Sequence, residues 1–137
     1  MSITASCLCQ KSQLQVETLA KEFHACDCNI CRKWSGGPFM SMGCGTKVKL
    51  TKKDSIRIYD SSEWAERAFC GNCGTQLFYR LKQNQEYYIP VDLFDKPVSP
   101  SFTTQYFVDQ KPSTYAFADS THNMTSEQFY ALFAKEE

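Results

Sequence analysis

Short runs in which apolar and polar residues alternate follow one another along this chain, with brief polar turns between them. Leu14-Gln15-Val16-Glu17 has the two-residue period of a half-buried strand, and Glu22 to Ala25 continues in the same sense. Gly36-Gly37-Pro38 breaks the chain before a further run, Phe39 to Met42. The pattern then predicts strands over Val48 to Leu50, Ile56 to Tyr59, Glu63 to Phe69, Gln76 to Leu81 and Glu86 to Val91, the last closed off by Pro90. After a loop carrying Pro97 and Pro100, Thr103 to Val108 and Thr114 to Phe117 read the same way. Only near the C-terminus does the period lengthen. Thr125 and Gln128 stand at the first and fourth places of a capping box, and Phe129, Leu132 and Phe133 then follow helical spacing. The expected fold is mainly β: one domain over residues 1–137, of short antiparallel strands with a short C-terminal helix.

Composition agrees with this picture. Ten Phe and seven Tyr supply much of the apolar material, and aromatic side chains fit pleated sheets. Fifteen basic residues balance fifteen acidic ones, so there is no electrostatic footprint for nucleic acid or an anionic membrane. Seven thiolates and two zinc ions would move the balance by about −7 and +4, further from a nucleic-acid binder. The start, Met1-Ser2-Ile3-Thr4-Ala5-Ser6, has neither a basic opening nor an apolar run, so a cytoplasmic location is expected, with no membrane span.

Eight cysteines in such a chain call for metal or catalysis rather than disulfides. They fall as Cys7-x-Cys9, Cys26-x-Cys28-x-x-Cys31, Cys44 alone, and Cys70-x-x-Cys73-Gly74. Two thiolates on a tight turn face one ion, and tetrahedral zinc takes four ligands, so Cys70 and Cys73 need a second pair. Cys7 and Cys9 are that pair by count, giving a closed Cys₄ site. Cys26, Cys28 and Cys31 are left with three sulfurs and one position for water or substrate. This holds as long as Cys44 stays out; were it a ligand, both zincs would be structural. Its setting, Met42-Gly43-Cys44-Gly45, has no partner cysteine, which suits a small buried apolar residue. Four disulfides and an iron–sulfur cluster are the other ways to use these thiols, and the two-plus-two and three pattern favours zinc.

These residues carry a resemblance. Cys7-Leu8-Cys9, then Cys26 through Cys31-Arg32-Lys33-Trp34-Ser35-Gly36-Gly37, then Phe69-Cys70-Gly71-Asn72-Cys73-Gly74-Thr75 are similar to the motifs of the glutathione-dependent formaldehyde-activating enzyme family. The likeness continues through Val91-Asp92-Leu93-Phe94-Asp95 and Tyr115-Ala116-Phe117-Ala118-Asp119. It implies a mainly β, Mss4-like fold, one zinc on Cys7, Cys9, Cys70 and Cys73, and another on Cys26, Cys28 and Cys31. It also implies a carbon–sulfur lyase that adds glutathione to formaldehyde, forming S-hydroxymethylglutathione. The family commonly has glycine after Cys-x-Cys, where this chain has Gln10.

The chemistry of three thiolates points the same way. They outweigh the charge of zinc, making it a weak Lewis acid that prefers a soft sulfur to water as fourth partner. A thiol arriving there would be held as thiolate. Partners of this reading are therefore a small thiol and an aldehyde. The competing reading is a zinc-stabilised binding or scaffold module without turnover. Other candidates serve either reading. Arg32 and Lys33 could meet carboxylates or simply be solvated. Ser35-Gly36-Gly37 could offer N–H donors or be a turn. His24 is a strand histidine or a proton carrier, His122 a surface residue, and Trp34 and Trp64 core or pocket walls.

Overall fold

The computed structural model describes residues 2–134. Its strands and helices are β1 (Ile3–Ser6), β2 (Gln13–Val16), β3 (Glu22–Cys26), α1 (Asn29–Ser35), β4 (Phe39–Gly43), β5 (Val48–Lys52), β6 (Ile56–Asp60), β7 (Ala65–Cys70), β8 (Gln76–Leu81), β9 (Tyr87–Pro90), β10 (Ser101–Tyr106), β11 (His122–Met124) and α2 (Ser126–Ala134). Single 3₁₀ turns lie at Val91–Leu93 and Val108–Gln110. The mainly β fold expected from the alternating pattern is present. No described helix is long and apolar enough to cross a membrane.

The chain divides into two compact units. The first comprises residues 1–21 and 41–99. Here β1, β2 and β5 form a small antiparallel sheet, with Ala5 opposite Leu14 and Leu14 opposite Leu50. A second antiparallel run joins Ser41–Gly43 of β4 to β9, β8, β7 and β6 in that order. Leu14, Val16, Met42, Leu77, Phe78 and Ile89 are the largest fully buried apolar side chains of this unit. Each fully buried side chain of this size contributes about 1.5–3 kcal/mol, which is what fixes the register of these strands. Asp95 fastens β1 from outside the ladder: its N–H donates to Thr4 O at 2.9 Å and its carboxylate accepts from the Ser6 hydroxyl at 2.8 Å.

The second unit comprises residues 22–40 and 100–137. Its strands are parallel: β10 lies between β3 and β11, with Tyr106 in register with Cys26 and with Met124. Alternation of side chains does not distinguish parallel from antiparallel neighbours, so this pairing is new information. Aromatic rings line it, with Phe23 stacked on Phe102 at 4.9 Å and Phe102 edge-on to Phe117 at 4.9 Å.

Three local differences from the expected elements have physical causes. Helix α1 occupies a stretch read for its cysteines; it starts on Cys28, whose sulfur accepts the Cys31 N–H, and stops at Gly36 in the left-handed region (φ 76°). Ser35-Gly36-Gly37 is thus a helix stop, and the Gly36 N–H is committed to Arg32 O at 2.8 Å. Thr114 to Phe117 is not a strand: the edge of β10 is taken by β11, and Tyr115 and Phe117 use their rings without a ladder. β1 is too short and too poor in large apolar residues to show in the pattern. The C-terminal capping box is present. Gln128 N–H donates to Thr125 Oγ1 at 3.2 Å, and Thr125 N–H donates to Gln128 Oε1 at 2.9 Å. Phe129 packs against Phe107 and Tyr106, while Leu132 is half exposed and the Phe133 side chain lies outside the described residues.

Candidate metal centres

Two hairpin turns of the first unit bring four sulfurs together. Cys7 directly follows β1, and its N–H donates to the Ser12 carbonyl at 3.0 Å, closing the turn into β2. Cys70 ends β7, and its N–H donates to Thr75 O at 2.9 Å across the turn into β8. The sulfurs of Cys7, Cys9, Cys70 and Cys73 all lie within 4.8 Å of one another. The Cys7–Cys9 separation is 3.6 Å and Cys9–Cys70 is 3.8 Å. A tetrahedron with metal–sulfur bonds near 2.3 Å has edges of about 3.8 Å, so this donor set could hold a metal ion the size of zinc. None of the eight cysteines is in a disulfide.

Backbone donors surround these sulfurs. The Ser12 N–H points at Cys7 Sγ at 3.2 Å. Thr75 serves both knuckles: its hydroxyl lies 3.1 Å from Cys73 Sγ and accepts the Leu8 N–H at 3.1 Å. That hydroxyl and the Thr75 N–H lower the Cys73 thiol to about 5. Gly74 sits at φ 79°, which lets its N–H reach back to Cys70 O at 2.8 Å. In the other knuckle the equivalent conformation falls on Gln10, at φ 70°, with its N–H donating to Cys7 O at 3.1 Å. A glutamine thus holds a backbone conformation that favours glycine. Left-handed geometry costs a non-glycine residue about 1–2 kcal/mol, part of which glycine's greater freedom in the unfolded chain offsets. Gln10→Gly is therefore expected to stabilise the protein by about 0.5–1 kcal/mol in urea denaturation at fixed metal content.

The second group lies in the other unit. Cys26 ends β3, Cys28 caps α1 and Cys31 is on its first turn, so strand, turn and helix aim three sulfurs at one point. They too lie within 4.8 Å of one another, with Cys26 and Cys28 at 3.3 Å. All three are buried, at 6%, 9% and 2% exposure, and no fourth His, Cys, Asp or Glu joins them among the described residues. Cys28 is the sulfur that ionises most readily: the Cys26 and Cys31 thiols donate to it, as do the N–H groups of Cys31 and Ile30.

Cys44 belongs to neither group. It is 1% exposed, its thiol donates weakly to Met42 O at 3.5 Å, and burial pushes its pKa up to about 12. It is a neutral buried thiol. His24 is likewise outside the sulfur group. Burial lowers it to about 4, keeping it uncharged, and its ring stands edge-on to Tyr106 at 4.8 Å. Arg32 is not a solvated surface residue: Nε donates to Asp27 O at 2.9 Å and Nη2 to Gln110 O at 3.1 Å, while Lys33 is exposed. His122 is exposed, Trp34 packs against Phe39 at 5.3 Å and Trp64 is 37% exposed.

One pair escapes sequence reading altogether. Asp27, between Cys26 and Cys28, is fully buried, and Tyr115 donates its O–H to Asp27 Oδ1 at 2.7 Å. The Oδ2 atom has no hydrogen-bond partner among the described residues. Burial raises the carboxyl above its usual range, while the Tyr115 bond and then the charges of Lys111 and Arg32 pull it down. Nothing local in the sequence links residues so far apart. Tyr115→Phe leaves both oxygens unbonded, and urea denaturation is expected to show a loss of about 1–3 kcal/mol. A loss under 0.5 kcal/mol would mean the bond does not hold the segment.

Comparison with known proteins places this arrangement. Residues 2–110 match the family model described as glutathione-dependent formaldehyde-activating enzyme. An uncharacterised lyase of Schizosaccharomyces pombe is 33% identical, across 95% of this chain and 96% of that protein. A Podospora anserina protein named "Putative glutathione-dependent formaldehyde-activating enzyme" is 30% identical over 62% of this chain, which spans 42% of that relative. A crystal structure of a Rhodobacter sphaeroides protein, 19% identical, superposes with a TM-score of 0.62 over 74% of this chain and all of that one. It shares the fold. On the family match and the yeast relative, the chain belongs to the glutathione-dependent formaldehyde-activating enzyme family.

Proposed function

We propose that this protein is a zinc-dependent carbon–sulfur lyase that forms and breaks the adduct of a small thiol, glutathione by family, with an aldehyde such as formaldehyde. The observation that carries the reading is the convergence of Cys26, Cys28 and Cys31 with no fourth protein ligand among the described residues. The Cys7, Cys9, Cys70 and Cys73 set, with four ligands, would hold a structural zinc and leave no position for substrate.

Zinc bound by Cys26, Cys28 and Cys31 would supply one thing: a position where an incoming thiol loses its proton and is held as a reactive thiolate. The rest is done by the chain. Three thiolates, nearly sealed from solvent, disfavour water and favour a sulfur ligand. The N–H groups of Cys31 and Ile30 stabilise the negative charge on Cys28. The Asp27–Tyr115 bond fixes the loop between Cys26 and Cys28, so that the three sulfurs keep one geometry. In the reaction a sulfur–carbon bond forms, the carbonyl π pair moves to oxygen, and that oxygen takes up a proton.

The test is exchange NMR of glutathione with formaldehyde, with and without the zinc-loaded protein. The expected result is exchange well above the uncatalysed rate, abolished by Cys28→Ser. Two retained zincs without acceleration would contradict the lyase reading and leave a zinc-stabilised binding module.

A further inference from the structure

Helix α1 carries Cys28 at its cap and Cys31 on its first turn, so its orientation decides where two of the three sulfurs stand against Cys26 on β3. Burial does little to fix that orientation. Among its residues Cys31 is the buried one, Ile30 is 40% exposed, and the contact of Trp34 with Phe39 lies at the far end. The helix has 7 residues, too few to hold itself. A side chain from a distant segment holds its start. Asn29 is the first residue of α1, and its N–H, which no carbonyl within the helix can accept, donates to Gln110 Oε1 at 3.0 Å.

Gln110 is itself set from several sides. Its N–H donates to Phe107 O at 3.0 Å, which fixes it on the turn Val108–Gln110. Its carbonyl accepts from Arg32 Nη2 at 3.1 Å, and the same guanidinium donates through Nε to Asp27 O, between Cys26 and Cys28. Its side-chain Nε2 donates to Ser126 Oγ at 2.9 Å. The Ser126 hydroxyl gives its one proton to Asp109 Oδ2 at 2.8 Å, so toward Gln110 its oxygen can only accept. The amide NH₂ must therefore face Ser126, and the amide oxygen is left turned to Asn29. Asp109, Ser126 and Gln110 form a chain of hydrogen bonds whose polarity presents an acceptor to the start of α1, one residue past Cys28.

We propose that Gln110 is a positioning residue of the three-sulfur site: by holding the Asn29 N–H it sets α1 so that Cys28 and Cys31 meet Cys26 in the geometry one zinc ion needs. Without that bond the start of α1 has to be ordered when the metal binds, and the ordering weakens the binding. Gln110 acts through the helix. The proposal rests on reading these cysteines as a zinc site, and not on the lyase reaction.

The test uses the full chain with both metals. Zinc is withdrawn by competition with a chromophoric chelator, and the site of Cys7, Cys9, Cys70 and Cys73 serves as internal reference. Gln110→Met keeps the length of the side chain and removes its amide. It is expected to weaken the second zinc about tenfold or more and to leave the first unchanged. With cobalt(II) in the second site, the same variant is expected to show shifted d–d bands. Ser126→Ala is the structural control, because it loosens α2 while leaving Gln110 Oε1 on Asn29. It is expected to lower the melting temperature by a few degrees and to move neither zinc affinity by more than about twofold. The proposal is overturned if Gln110→Met holds its second zinc as tightly as wild type, if Ser126→Ala weakens that zinc equally, or if both zincs weaken together in Gln110→Met. A wild type that binds a single zinc overturns the open-site reading along with it. A loss confined to the second zinc supports the proposal even where wild type shows no glutathione–formaldehyde exchange, a result that counts against the lyase reading alone.

Discussion

Cys70→Ser is expected to lose one of two bound metals and, with it, the folded state of the unit made by residues 1–21 and 41–99. Cys70 is fully buried at the end of β7, and its sulfur is shared with a knuckle at the far end of that unit's sequence. Serine removes a soft charged ligand and leaves Cys7, Cys9 and Cys73 pressed together without a fourth partner. Structural zinc contributes folding free energy directly, about 10–16 kcal/mol in isolated fingers, against about 5–15 kcal/mol for the net stability of a whole domain. A destabilisation on the order of 5 kcal/mol or more therefore leaves little folded protein. Circular dichroism and metal analysis of the variant check this. A cooperative melt within a few degrees of wild type, with one metal retained, would show that the hairpins β1–β2 and β7–β8 stand without their ion.

Cys28→Ser is expected to do the opposite, removing function while sparing the fold. Cys28 does two jobs: its sulfur is one of three ligands, and it caps α1 by accepting the Cys31 N–H at 3.3 Å. Serine is among the best N-cap residues, so the second job survives the exchange and stability is expected to change by no more than about 1 kcal/mol. The first job does not survive, because a hydroxyl stays protonated and binds zinc poorly. Two sulfurs cannot retain the ion against competition, so thiol–aldehyde exchange should fall to the uncatalysed rate. Cys28→Ala would lose the cap as well. The difference in stability between the two variants, about 1 kcal/mol, measures the cap alone.

The contrast between these variants reflects what a sequence can carry. The grouping of sulfurs is legible because Cys-x-Cys and Cys-x-x-Cys each force two thiolates onto one turn, and four-coordination limits how the turns combine. The strands are legible because one-sided burial imposes a period of two. The helix α1 hides because its cap is a cysteine and its last turn, Arg32 to Ser35, ends in residues that also read as metal-loop chemistry. The parallel pairing of β10 with β3 hides because it depends on contacts between distant segments, which alternation cannot encode. Asp27 and Tyr115 hide for the same reason: a carboxylate next to two cysteines looks like surface until a tyrosine 88 residues away is seen to bury it. Gln10 shows the converse. The residue type departs from the family's glycine, yet the backbone holds φ 70°, so the knuckle is set by its hydrogen bonds and not by the residue alone.

One count separates an open three-sulfur site from a closed one. Native mass spectrometry of the full chain, purified without chelator, should show two zinc ions on wild type, one on Cys28→Ser and two on Cys44→Ser. Cys44 is a protonated thiol, buried and turned to the Met42 carbonyl two residues back, so its loss should leave both metals in place. A folded Cys44→Ser protein carrying a single zinc would make Cys44 the fourth ligand and close the position that a thiol must occupy.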